Sequence, residues 1–136
     1  MAEVTGSGPV VLLVEDDRDS REMYELGLRL SGLDPRSVGS AAEAVALLTS
    51  LRPAVVVTDL TLPDRDGVEF CQRLERDAQT RDIPRIVLTG RSTDPAVDTV
   101  LVRACRRIIH KPCAPDELAS AIAEVLRSNG GDTAEG

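Results

Sequence analysis

Aromatic side chains are almost missing from this chain of 136 residues: one tyrosine, Tyr24, one phenylalanine, Phe70, and no tryptophan. Any core must therefore be filled by aliphatic residues. A single histidine, His110, excludes a histidine-based metal site, and its place in the alternating run RRIIH reads as structural. Three cysteines, Cys71, Cys105 and Cys113, are odd in number and lack metal-ligand spacing, which fits free thiols in a reducing compartment. No apolar run reaches the roughly 18 residues of a membrane helix. The opening MAEVTGSGPV has no basic stretch leading into an apolar one, so a cytoplasmic location and no membrane partner are expected. Positive charge is also scarce. The net charge is −7 and all but one of the 16 basic residues are scattered arginines, whereas binding phosphate backbones needs clustered cations. Direct contact with nucleic acid is not expected. Arg85, Arg103, Arg106 and Arg107 come nearest to a patch and read as solvated positions.

What is present is ordinary globular composition, 42% hydrophobic and 29% charged, at the length of one domain. Folding at this length buries roughly 70% of the chain's surface. PVVLLV (9–14), AVVVT (54–58) and RIVLT (85–89) are short β-branched runs, the pattern of strands covered on both faces. RRIIH (106–110) is a shorter candidate, and PRSV (35–38), led by proline, suits only an edge strand. Helical patterns fall between them: 18–31, with Met23, Leu26, Gly27 and Leu30 on one face; 41–51, with Ala41, Ala44, Val45 and Leu48; and 67–78, after Asp66 as N-cap. Two more cover 94–104, opened by Asp94-Pro95, and 115–127, with acids in its first turn. A βα unit repeated five times implies right-handed crossovers and an α/β fold, a doubly wound five-stranded parallel sheet. Residues 1–128 read as one domain and the Gly-rich 129–136 as a disordered tail.

In such sheets ligands bind at the carboxyl ends of the strands. Glu15, Asp16 and Asp17 follow the first predicted strand, Asp59 ends the third, Thr89 ends the fourth and Lys111-Pro112 follows the fifth. Carboxylates, a hydroxyl and an ammonium on one edge suit a hard divalent cation and a phosphoryl group. Mg²⁺ takes oxygen ligands and keeps several waters, so a few carboxylates suffice. Asp59 is a candidate nucleophile forming an acyl phosphate, and Lys111 would pair with the phosphoryl oxygens as a point charge. Lys111 is the one lysine in a chain that otherwise uses arginine, and a compact ammonium is a different tool from a planar guanidinium.

The acidic trio in VLLVEDD, the stretch DLTLPDRDG starting at Asp59, the Thr of IVLTG and the late Lys-Pro resemble the receiver domain of two-component response regulators over about residues 9–127. The intervals from Asp59 to Thr89 and from Thr89 to Lys111 match as well. The resemblance implies a flavodoxin-like sheet of order 2-1-3-4-5. It further implies that Asp59 is the phosphoacceptor, Asp16 the direct metal carboxylate and Glu15 a metal residue acting through water. The backbone carbonyl of Thr61 would complete the protein ligands of Mg²⁺, Thr89 would hydrogen-bond the phosphoryl group, and Lys111 would form its ion pair. Asp17 would face solvent or cap a helix. The implied partners are a sensor histidine kinase or a histidine phosphotransfer protein, docking near the first helix, and a downstream protein or a second copy of the chain. The domain would accept phosphate and slowly lose it, without turning over a substrate as an enzyme does.

Two departures matter. Ile108 stands where the family commonly has an aromatic switch residue, and Cys113 where a Phe is usual. Arg91 and Thr61 occupy the positions that tune phosphoryl lifetime in the family. One rival reading is a receiver-like interaction module that works without phosphorylation, favoured by Ile108. The other is an aspartyl phosphatase, which wants a second acid where Thr61 stands and a substrate cap that the chain lacks.

Overall fold

The strands follow the aliphatic runs. The computed structural model describes residues 8–90 and 95–135, apart from the side chains of 97, 98 and 129–135. Strands β1 (Val10–Val14), β2 (Asp34–Val38), β3 (Val55–Asp59), β4 (Arg85–Thr89) and β5 (Arg107–His110) alternate with helices α1 (Arg18–Leu30), α2 (Ala41–Leu47), α3 (Gly67–Arg76), α4 (Pro95–Ala104) and α5 (Pro115–Glu135). All pairings are parallel and the order is β2-β1-β3-β4-β5. This is the flavodoxin-like arrangement expected from the sequence.

Successive strand residues point to opposite faces, which divides the core. Val11 and Leu13 of β1 join Val55, Val57, Ile86 and Leu88 beneath α1 and α5. Leu12, Val14 and Val56 lie under α2 and α3 with Phe70 and Leu74. Val87, Leu101 and Cys71 form a third cluster between α3 and α4, with Ile108 packed against it. Burying each such large aliphatic side chain contributes about 1.5–3 kcal/mol. Side-chain caps start the helices: Asp17, Ser40 and Asp66 accept from the backbone N–H groups of Ser20, Glu43 and Val68 at 2.9, 3.2 and 2.7 Å.

Three sequence expectations change. The Met23, Leu26, Leu30 stripe of α1 faces solvent, because Tyr24 and Leu28, one turn apart, are the pair turned toward the sheet. Arg85 is buried rather than solvated, although Arg103, Arg106 and Arg107 are exposed. His110, read as structural, is exposed at the end of β5. Helical backbone in α5 runs to Glu135, through most of the stretch read as a tail. Among the described side chains its last apolar anchors are Val125 and Leu126. Asp94, the expected N-cap of α4, lies outside the described residues.

Candidate functional site

Parallel registry brings the strand ends level. Val14 of β1 stands opposite Thr58 of β3, Asp59 opposite Leu88 of β4, and Thr89 opposite His110 of β5. The chain therefore delivers Glu15, Asp59, Thr89 and Lys111 to one rim. Glu15 continues β1 by donating its N–H to the carbonyl of Val38 at 3.0 Å, and Lys111 continues β5 by donating to the carbonyl of Thr89 at 2.8 Å. The Lys111-Pro112 peptide is cis.

At the centre, the Lys111 ammonium donates to Glu15 Oε1 at 2.9 Å and to Asp59 Oδ2 at 3.2 Å. The other Asp59 oxygen, Oδ1, accepts from the backbone N–H of Leu60 at 3.0 Å, and Glu15 Oε2 accepts from that of Asp17 at 3.1 Å. Both carboxylates are thus held at each oxygen. Burial pushes the Asp59 carboxyl above the usual range and the charge of Glu15 pushes it the same way, outweighing Lys111. Burial alone would lower Lys111, but its bonds and attraction to Glu15 and Asp59 outweigh that and raise it. The ammonium stays charged.

Asp16 sits exposed at the mouth, and one carboxylate oxygen from each of Glu15, Asp16 and Asp59 lies within 4.8 Å of the others. Three carboxylates of hard oxygen against one ammonium leave excess negative charge, and the open side at Asp16 leaves room for coordinated water. That donor set fits Mg²⁺. Asp17 is not in this group; it caps α1. Thr89 is buried at the end of β4 beside Lys111. Thr61 lies on the loop leaving Asp59, joined to Asp66 by an isolated antiparallel bridge. Arg91 lies outside the described residues.

That loop closes tightly. Gly67 donates to the carbonyl of Leu60 at 2.7 Å, and a Cβ on Gly67 would stand 2.5 Å from the Leu60 oxygen and 2.6 Å from the Asp59 oxygen. Backbone cannot give way as a flexible side chain can. Gly67→Ala is therefore expected to lower stability by about 1–3 kcal/mol, read as a shift of the urea midpoint at unchanged slope.

Two supporting residues escaped the sequence reading. The buried Tyr24 hydroxyl donates to the carbonyl of Cys113 at 3.0 Å, tying α1 to the turn that carries Lys111. Arg21 Nη1 donates to the Glu15 carbonyl at 2.9 Å. The one available signal was that the chain's sole tyrosine falls on α1, four residues before Leu28.

The response regulator receiver domain family matches residues 11–123. The phosphate regulon transcriptional regulatory protein PhoB of Pseudomonas aeruginosa is 32% identical over 90% of this chain and 54% of its own length. The DNA-binding response regulator MtrA of Mycobacterium tuberculosis is 32% identical over 92% of this chain and 54% of its own. The chain thus spans about half the length of these curated relatives. Among solved structures, the signal receiver domain of a signal transduction histidine kinase from Syntrophus aciditrophicus superposes with a TM-score of 0.80 at 30% identity, covering 89% of this chain and 92% of that one. A CheY-like receiver domain protein from Methanospirillum hungatei reaches 0.85 at 22% identity over 93% and 99%, a likeness of fold.

Proposed function

The chain belongs to the response regulator receiver family of two-component signalling, and on that premise we propose that Asp59 accepts a phosphoryl group from a phosphohistidine in a Mg²⁺-dependent reaction. The observation that carries this reading is the ammonium of Lys111 held between Glu15 and Asp59 at 2.9 and 3.2 Å. A cation so placed can follow charge from a carboxylate to the oxygens of a phosphoryl group bonded to it.

In the proposed transfer, an Asp59 oxygen forms a bond to phosphorus as the phosphorus–nitrogen bond to the donor imidazole breaks, the bonding pair leaving with the nitrogen. Lys111 shifts from the carboxylate to the transferred oxygens, and the Thr89 hydroxyl donates to one of them. Asp16, Asp59, the backbone carbonyl of Thr61 and, through water, Glu15 would hold Mg²⁺, which would supply neutralisation of the charge on the phosphoryl oxygens. Water slowly returns the carboxylate, so the domain is a switch rather than a turnover enzyme.

The donor is a sensor histidine kinase or a histidine phosphotransfer protein. The exposed Met23, Leu26 and Leu30 of α1, beside Pro115, supply an apolar face for it on the helix that leads away from the rim. Phosphorylation alters binding at the face formed by α4, β5 and α5 to a downstream protein or a second copy of the chain. With Ile108 half-buried against Val87 and Leu101, no aromatic ring carries the signal there. With its net charge of −7 the domain makes no direct contact with nucleic acid. No helix among the described residues is long and apolar enough to cross a membrane, and we place the domain's work in the cytoplasm.

Incubation with a small-molecule phosphodonor and Mg²⁺ tests the proposal by intact mass. One added phosphoryl group is expected, and none with chelator present. A chain that stays unmodified would instead be a module that binds partners without phosphorylation, the reading that Ile108 favours.

A further inference from the structure

A second charged feature lies at the other edge of the sheet. There the chain enters β4 and β5, and a cavity of about 540 Å³ opens between the start of β4 and the end of α4. Arg81, Arg85, Arg103 and Arg106 line it, with Asp82 the one acid on its wall. We propose that this cavity binds a compact polyanion bearing phosphate groups.

Arg85 heads the strand that continues Ile86, Val87 and Leu88 and is buried, yet among the described residues no carboxylate lies within 4.0 Å of it. Its Nε donates to the carbonyl of Ala104 at 2.6 Å, and its Nη1 to those of Ile83 at 2.9 Å and Thr80 at 3.4 Å. These bonds orient the guanidinium and cap the end of α4, where the helix dipole favours a cation. Carbonyl dipoles hold the guanidinium and offset part of its charge, but no carboxylate neutralises it. Arg81 and Arg103 stand exposed on the same wall, also without an acid within 4.0 Å among the described residues. Three such arginines around one concavity, on a chain of net charge −7, make a local positive field that surface scatter does not produce.

Guanidinium forks match phosphate oxygens two at a time, and several converging on one space suit an anion with several charges close together. The volume is that of a small-molecule site. A nucleic-acid strand would need a continuing track of cations, which the acidic remainder of the surface lacks. Asp59, Thr89 and Lys111 end or follow their strands, whereas Arg85 begins one, so about a strand length, roughly 13–17 Å, separates the two sites. The proposal is independent of phosphorylation at Asp59.

The test is an NMR titration of the whole chain with inorganic tripolyphosphate, in chelator so that the acidic rim recruits no metal. Backbone amides and arginine Nε–H signals are followed. Saturable shifts confined to 81–85 and 102–106, with Asp59 and Lys111 unmoved, are expected. Arg81→Ala and Arg103→Ala, both at exposed positions, should each weaken binding several-fold and together about tenfold or more, with unchanged thermal melting. A response that never saturates, that spreads over arginines elsewhere, or that survives the double substitution would overturn the proposal. Citrate binding as tightly as tripolyphosphate would overturn the phosphate assignment.

Discussion

Asp59→Asn protein given a small phosphodonor and Mg²⁺ is expected to gain no mass, while its metal-free form at pH 7 melts at a higher temperature than the parent. The first half follows from chemistry: an amide oxygen lacks the charge and nucleophilicity to form the acyl phosphate. The second half follows from the environment of the carboxylate. Asp59 is largely buried beside Glu15, and both share the one Lys111 ammonium. Because burial and Glu15 together raise the Asp59 pKa, the folded state prefers the neutral carboxyl. Stability tied to that preference is fully present below the ordinary carboxylate value, about 3.9, and is lost as pH rises through the raised folded value. Asparagine imitates the neutral form at every pH. The stability gap should therefore open above about pH 4 and close below it, as thermal melts across pH would record. Saturating Mg²⁺ should narrow the gap at pH 7 by stabilising the parent more than the variant. A variant less stable than the parent at pH 7 without metal would mean that the pairing of Asp59 with Lys111 outweighs burial and Glu15.

Much of this was legible in the sequence, for reasons that show where legibility ends. β1, β3 and β4 are continuous aliphatic runs buried on both faces, so their bounds emerge to within about one residue. β2 has almost no such signal; Asp34 to Val38 is extended because β1 pairs with it residue by residue, a tertiary cause. The rim was readable because parallel crossovers force every strand's carboxyl end to one edge, whatever lies between. Residues acting through backbone carbonyls were not. Tyr24 on the Cys113 carbonyl, Arg21 on that of Glu15 and Arg85 on those of Ala104, Ile83 and Thr80 leave no periodic trace, since any residue can present a carbonyl. The outward turn of Met23, Leu26 and Leu30 was hidden for a related reason. An apolar stripe declares a face, and whether that face meets the sheet or solvent is decided by how Gly27 lets α1 approach Pro115, whose Cβ would lie 2.1 Å from any Cβ added there.

Lys111→Ala separates the ammonium's hold on the rim from its proposed task of following the phosphoryl group. In the unphosphorylated domain it bridges the buried Glu15 and the largely buried Asp59, so its removal leaves two carboxylates facing each other with no cation between them. Breaking a fully buried pair costs about 3–5 kcal/mol. Lys111 is 25% exposed, and water entering the vacated space should reduce the loss to about 1–3 kcal/mol. Mg²⁺ should stabilise this variant more than the parent, because the ammonium no longer competes for the oxygens of Glu15 and Asp59, and a larger metal-induced rise in melting temperature would record it. The same variant should accept phosphate about 10²–10³-fold more slowly, the cost of deleting one preorganised group aimed at developing charge. Restoring folding with metal should leave that deficit in place, since the metal restores the resting charge balance but not the cation that moves with the phosphoryl oxygens. Lys111→Arg, keeping the charge on a wider planar group, should recover stability better than rate. Equal recovery of both would mean that the ammonium acts through its charge alone and that its compact shape is immaterial.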